Sequence, residues 1–179
     1  MLFFFAIACT SCGTSVLLKN GYTKVPKDNC FFDNPRFDER VFTIIDTSSI
    51  YIEAHTFYRG TKFPVERYVS VLRFYPNGLY NEFTFEKSSI ILSDLGNNSL
   101  DFTENGNRGY YYFEKGKLQL VSYGASNELY TMGANESEIV LTPENLLKET
   151  PRKEKISHYY EKNPVPQKWK NVVPDHHWK

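Results

Sequence analysis

The sequence predicts an all-β fold: an antiparallel meander closed into a barrel of about eight to ten strands, with a two-sheet sandwich as the alternative. Three features of the 179-residue chain support this prediction. Apolar and polar residues alternate with a period of two from Val41 to about Thr142, as in half-buried strands. Turn-forming residues interrupt the alternation at short intervals, and no long stretch has a helical period. A meander of this length must close or fold over to protect its edges.

The alternation divides into ten predicted strands. Their bounds are 41–46, 49–58, 67–75, 79–86, 89–93, 99–103, 109–114, 117–123, 127–132 and 137–142. Hairpin turns are expected at Gly78 and Gly116, because glycine tolerates the positive φ that tight turns require. Two further corners are expected at 105–107 and 133–135. On strand 79–86, the face that carries Phe83 is predicted to point inward and the face that carries Glu82 to meet water.

The C-terminal third is less regular. Thr142 followed by Pro143 predicts one or two helical turns, because the hydroxyl can cap and proline suits the first helical position. Residues 151–161 fit either a helix or a strand, and the alternation favours a strand. Prolines then predict an extended tail at 164–179, which Trp169 and Trp178 would attach to the domain.

The chain begins with an apolar run from Leu2 to Ala8. Seven residues are too short to cross a bilayer, so the run indicates a secretion signal. The alternative is a buried N-terminal strand in a cytosolic protein. Small residues precede both Cys9 and Cys12, so a lipoprotein signal could end at either, and the longer apolar run before Cys12 favours that site. The predicted divisions are a signal peptide at 1–11, a lipidated linker at 12–40, a β domain at 41–163 and the tail at 164–179.

Several segments together resemble the small lipocalin-like lipoproteins of Bacteroidetes. They are the Ser11-Cys12-Gly13 junction, the hairpin at 73–78, the aromatic segment at 109–116 and the ending at 174–178. The resemblance implies a lipocalin-like barrel with diacylglycerol on the Cys12 thiol. It implies anchoring to the outer membrane, but no catalytic residues. The Gly-x-Trp signature of true lipocalins is absent. No acidic run follows Cys12, which in this family favours an anchor that faces the periplasm.

Composition narrows the possible partners and cofactors. Lys plus Arg and Asp plus Glu each number 21, so no general positive field would steer nucleic acid, and none is expected as a partner. His176 and His177 do not supply the four preset ligands of a structural zinc site, and neither a metal nor another cofactor is expected. Phe and Tyr number 14 and 13 and could line a pocket or fill the core. The candidates to face a ligand or partner are Phe83, Phe85, Tyr110, Tyr111 and Tyr112.

The sequence carries no recognised catalytic motif, so no catalytic residue is assigned. Carboxylates that could act as acid or base are Glu53, Glu66, Glu82, Glu86, Asp94, Asp101 and Glu104, and nothing singles one out. The leading hypothesis is a lipid-anchored, non-enzymatic barrel that binds an apolar small molecule or an envelope protein. One alternative is a structural or assembly lipoprotein of an envelope complex. The other is an envelope glycan hydrolase, which would need two convergent carboxylates in a cleft.

Replacing the predicted lipid acceptor tests the anchor. Cys12→Ser removes the thiol that would carry diacylglycerol, so metabolic labelling with a fatty acid should disappear from the protein. Labelling that persists in this variant and disappears in Cys9→Ser would place the lipid on Cys9 instead.

Overall fold

The computed structural model describes residues 15–19, 24–26, 38–87, 100–126, 131–152 and 154–174. Within these ranges, eight antiparallel strands form a closed barrel and one extra strand extends its sheet. The predicted all-β fold is therefore confirmed, and its architecture fits a lipocalin-like barrel and not the sandwich alternative.

The strands are numbered in chain order. They are β1 Ser15–Leu17, β2 Lys24–Pro26, β3 Ser49–Tyr58, β4 Thr61–Pro64, β5 Tyr68–Phe74, β6 Leu79–Glu86, β7 Asn107–Glu114, β8 Lys117–Ser126, β9 Thr131–Leu141, β10 Leu147–Pro151 and β11 Ile156–Pro164. The barrel follows the order β3, β5, β6, β7, β8, β9, β10, β11, and β11 pairs with β3 to close it. β4 pairs with the second half of β3, and β1 and β2 form a separate ribbon in which β2 lies against β7 and β8.

Two predicted hairpins are confirmed. Gly78 has φ of 87° between β5 and β6, and Gly116 has φ of 80° between β7 and β8. Lys115, just before Gly116, also has a positive φ of 52°. Positive φ in the turn matches the right-handed twist of the paired strands, which is why these positions hold glycine.

Three predicted strands and corners are wrong. Residues 39–43 form a 3₁₀ turn and not a strand, because the Asp38 carboxylate accepts a hydrogen bond from the Arg40 N–H at 2.9 Å and caps it. Residues 100–103 are turn and not strand. The expected corner at 133–135 lies within β9, because β8 continues far enough to pair with it. The predicted strand 89–93 and residues 127–130 lie outside the described residues.

The C-terminal prediction is partly corrected. A turn with Asn145 at φ of 62° replaces the expected helical turns after Thr142 and leads directly into β10, which was not predicted. The hydrogen bonds of β10 to β9 on one edge and to β11 on the other outweigh the helix-capping signal of Thr142. The strand favoured for the 151–161 region is confirmed as β11.

The closed end of the lumen is apolar and well packed. Val41 and Ile45, from the turn before β3, plug this end against rings from the strands. Tyr51, Phe74 and Tyr111 meet edge to face with centroids 5.4–5.5 Å apart. A Cβ at position 109 would lie 2.4 Å from the Tyr80 ring, so glycine there leaves the space that this ring occupies. The result is a solid apolar floor at this end of the lumen.

A second layer covers part of the outer wall. Phe83 packs outside the barrel against Leu100, Val165 and Trp169, while Glu82 on the opposite face of β6 points into the lumen. The predicted orientation of β6 is therefore wrong. The physical reason is that Leu100 and the tail residues Val165 and Trp169 shield the outer face, so an apolar side chain can be buried there as well as inside.

One buried cation holds the tail in place. Arg73 is 2% exposed. Its guanidinium donates to the carbonyls of Trp169 and Val172, the latter at 2.8 Å, and lies over the Tyr75 ring. Asn77 Nδ2 adds a bond of 2.7 Å to the Pro174 carbonyl. Side chains from β5 and its turn therefore fix the tail through its backbone.

Removing this cation should release the tail. Arg73→Met keeps much of the buried volume but leaves two carbonyls without their donor, at a cost of about 1–3 kcal/mol. We expect faster tryptic cleavage after the exposed Lys168 and Lys170, read by mass spectrometry, together with a lower melting temperature. Arg67→Met is the matched control, because the exposed Arg67 side chain contacts Glu86 and the Tyr68 ring and not a tail carbonyl. Equal cleavage rates in the two variants would show that Arg73 does not hold the tail.

Candidate functional site

The open end of the lumen contains a cavity of about 400 Å³, which we call the acidic cup. Side chains of the barrel strands form its wall: Glu82, Ser122, Ser137, Glu149, His158 and Tyr160. Among the described residues, every one that lines the cup except Pro151 has a polar side chain. The volume is within the range of small-molecule sites, but the lining is far more polar than usual.

The polar wall follows from a repeated pattern in the strands. Seven of the eight barrel strands, all except β7, place an apolar residue on the floor and a polar residue two positions nearer the mouth, on the same face. The pairs are Tyr51 and Glu53, Leu72 and Ser70, Tyr80 and Glu82, Leu120 and Ser122, Ile139 and Ser137, Leu147 and Glu149, and Tyr160 and His158. The floor and the cup are therefore successive layers of one lumen.

Glu82, on β6, is the most perturbed carboxyl group of the cup. Burial raises its pKa to about 7, and the negative charge of Glu149 acts in the same direction. Hydrogen bonds with Ser70 and Asn107 and the nearby His158 oppose the shift only in part. The Ser70 hydroxyl donates to Glu82 Oε1 at 3.0 Å. Near neutral pH, Glu82 is thus present in both its protonated and its ionised forms.

His158 and Glu53 form a partly buried pair beside it. His158 Nδ1 lies 2.7 Å from Glu53 Oε1, and the Glu53 side chain is 7% exposed. Burial by itself would lower the pKa of His158, but the bond to Glu53 and the charges of Glu149 and Glu82 outweigh it and raise the pKa. Glu53 Oε2 also accepts from the Ser70 N–H at 3.2 Å. A hydrogen-bond path therefore runs around the wall from His158 through Glu53 and Ser70 to Glu82.

Glu149 faces this path from the opposite wall. It lies on β10, which is four strands from β6 in either direction around the eight-stranded ring. The Tyr160 hydroxyl donates to Glu149 Oε2 at 2.8 Å. Burial and the surrounding carboxylates raise the pKa of Tyr160 well above its ordinary value, so this hydroxyl keeps its proton and remains a donor. Glu149 is therefore held in place as a hydrogen-bond acceptor.

The more exposed side of the cup carries further charges. Arg152 pairs with Glu136, and Glu154 lies close by. The described residues that line the cup include four glutamates, one arginine and one histidine. Glu53 lies directly behind the histidine. The cup is thus negatively charged and rich in hydrogen-bond acceptors, so it suits ligands that donate hydrogen bonds and disfavours anions.

The five aromatic residues predicted to face a ligand or partner lie away from the cup. Tyr111 is buried in the barrel floor, while Phe83 and Tyr112 are buried in the outer layer. Phe85 and Tyr110 are partly buried against the same outer layer. Direct contact between these rings and a ligand or partner stays a prediction.

Sequence reasoning considered some of the cup residues but did not bring them together. Glu53 and Glu82 were among the candidate carboxylates, whereas Glu149 and His158 were not considered. The missed signal is the step from an apolar to a polar residue at a spacing of two near one end of seven of the eight barrel strands. This signal can be recognised only when it is known which strand ends meet at the mouth of the barrel. Asp94, another candidate, lies outside the described residues.

Comparisons with known proteins give no relative: no family model, no curated protein and no solved structure matches the chain. In the described part of the chain, no group of three His, Cys, Asp or Glu side chains is arranged to hold a metal ion. The described ranges also contain no helix of the length and hydropathy needed to span a bilayer. His176 and His177 lie outside the described residues.

The raised pKa of Glu82 should make stability depend on pH. The folded state binds this proton more tightly than the unfolded state, whose pKa is near 4.5, so stability falls as pH rises from about 4.5 to about 7. The loss is on the order of 3 kcal/mol. Glu82→Gln cannot ionise and should lack this loss. Urea denaturation at pH about 5 and about 8 should therefore favour the variant over wild type only at the higher pH.

The matched control is Glu138→Gln. Glu138 lies on the outer face of β9 and pairs with Lys117 at 2.8 Å, so its replacement should shift stability by a similar small amount at both pH values. If the Glu82→Gln difference were also the same at both pH values, Glu82 would titrate like an ordinary exposed carboxylate.

Proposed function

We propose that the protein is a lipid-anchored envelope protein whose barrel binds a small, polar, neutral or cationic molecule in the acidic cup. The single observation that carries the binding part is the cavity of about 400 Å³ lined by convergent polar groups. The anchoring part is supported by the sequence of residues 1–12 and by the resemblance to lipocalin-like lipoproteins. The proposed anchor faces the periplasm.

The nature of the lining favours a polar ligand over an apolar one. An apolar molecule in the cup would desolvate Glu82, Glu149 and His158 without replacing their hydrogen bonds to water, which costs several kcal/mol. A molecule with hydroxyl or amino groups would instead donate hydrogen bonds to the carboxylates. Charge-assisted bonds of this kind are about twice as strong as neutral ones. We therefore propose a polar ligand in place of the apolar ligand that the aromatic content predicts.

The cup also favours a small-molecule ligand over a protein partner on the aromatic outer face. Phe83 and Tyr112 are 0% and 8% exposed under the second layer, so they are covered before any partner arrives. A protein would have to displace the tail and break the bonds from Arg73 and Asn77. A small molecule can enter the open end of the barrel without such a rearrangement.

Three hexoses of similar size but different charge test the proposal. Glucosamine is cationic, glucose is neutral and glucuronate is anionic. We expect glucosamine to raise the melting temperature most and glucose less, while glucuronate has no effect, because the carboxylates of the cup attract donors and repel an anion. Isothermal titration calorimetry would give the affinities.

A charge-removing variant locates the binding in the cup. Glu149→Gln should weaken glucosamine binding by about tenfold or more, since it replaces a charged acceptor with a neutral one. Glu138→Gln, outside the barrel, should leave binding unchanged. Binding of a fatty acid in the lumen, or binding of glucuronate as tight as that of glucosamine, would refute a polar cup ligand. Absence of binding by all three hexoses would favour the structural alternative.

A further inference from the structure

We propose that the acidic cup is also a hydrolytic site that cleaves a glycosidic bond, with Glu82 as the general acid and Glu149 as the general base. This inference rests on the proposed function, because it requires that the cup admit a saccharide. It goes beyond binding in assigning a reaction and two catalytic residues.

The first support is the placement of the two carboxyl groups. Glu82 and Glu149 lie on opposite walls of the same cavity, on strands four apart in the ring, and both project above the apolar floor. A saccharide bound in the cup would therefore have a carboxyl group on each side. Glycoside hydrolysis needs two carboxyl groups on either side of the scissile bond, with space for water when the displacement is direct.

The second support is that the surroundings of the two groups differ. Glu82, which is partly buried, is faced by Glu149 from β10, by His158 and Tyr160 from β11 and by Glu53 from β3. Its pKa of about 7 keeps part of the population protonated at neutral pH, as a general acid requires. Glu149 instead receives the Tyr160 hydroxyl bond and can accept a proton through its free oxygen. Environments that separate the properties of two carboxyl groups assign acid and base roles.

The third support is the hydrogen-bond path behind Glu82. Ser70 bonds both Glu82 and Glu53, and Glu53 bonds His158. This path fixes the Glu82 side chain toward the lumen, so we assign Ser70 a positioning role. A preorganised acid of this kind avoids reorganisation when the bond breaks.

The reaction is balanced without any other reagent. Glu82 gives its proton to the glycosidic oxygen as the bond from that oxygen to the anomeric carbon breaks. A water molecule attacks the anomeric carbon from the opposite side, and Glu149 takes a proton from this water. The products are the free sugar and an alcohol. Net transfer of one proton from Glu149 to Glu82 through solvent restores the starting state.

Aryl glycosides provide the first test. Wild-type protein should release nitrophenolate from at least one of the 4-nitrophenyl α- or β-glycosides of glucose, galactose, mannose and N-acetylglucosamine. Glu149→Gln should lower kcat/KM for that substrate by about 10²- to 10⁴-fold, which is the usual contribution of a general base. Glu138→Gln should leave it unchanged.

The leaving group separates the two roles. Glu82→Gln should lose most of its activity on the corresponding methyl glycoside but retain it on the 2,4-dinitrophenyl glycoside, whose leaving group departs without a proton. In wild type, kcat/KM for the methyl glycoside should fall above a pH of about 7 as Glu82 ionises. Equal loss on both substrates in a folded Glu82→Gln variant would overturn the role of Glu82 as acid.

The binding and hydrolysis proposals fail in different ways. If the hexoses bind but wild type releases no product from any aryl glycoside, hydrolysis is overturned and binding stands. If hydrolysis occurs but persists in both glutamine variants, the site assignment is overturned. If no hexose binds and no glycoside is cleaved, both proposals fall. The wild-type pH profile needs no variant, so the test does not depend on the variants folding.

Discussion

The antiparallel pairing of β11 with β3 is the constraint on which the rest of the structure depends. It joins the last barrel strand to the first, from the pair Ile156 and Tyr58 to the pair Pro164 and Ser49. Closure removes the edges of the sheet, apart from the short β4, and gives every strand an inside and an outside. The register between β11 and β3 shifts by one residue near Tyr159 and Tyr160, so Glu53 and Tyr160 face inward together while the stacked rings of His55 and Tyr159 lie outside.

The lumen combines two opposed environments. Its floor is apolar and packed with rings, which gains stability through burial. Its mouth holds carboxylates whose desolvation costs stability, as the raised pKa of Glu82 indicates. The hydrogen bonds among His158, Glu53, Ser70 and Glu82 offset part of this cost. Residues held at such a cost are typical of functional sites. The cup is therefore a candidate site for binding and proton transfer.

The outer layer has a different role. Leu100 and the tail residues Val165 and Trp169 cover the part of the wall that carries Phe83. This cover allows β6 to carry bulky apolar residues on its outer face and leaves its inner face for Tyr80 and Glu82. Arg73, donating to tail carbonyls, links the layer to the barrel wall. The polar character of the cup thus depends indirectly on tail residues, such as Val165 and Trp169, that pack on the outer wall.

The sequence by itself determined the class of fold and most of its strands, because alternation and turn chemistry are local properties. Gly78 and Gly116 marked their hairpins, and Lys155 to Glu161 alternated as the strand that closes the barrel. Only the tertiary structure decided which face of β6 is the inside. Both faces carry aromatic residues, and the choice depends on a tail more than 70 residues away in the chain. The cup could not be read locally either, since Glu82, Glu149 and His158 meet only when the strands close into a ring.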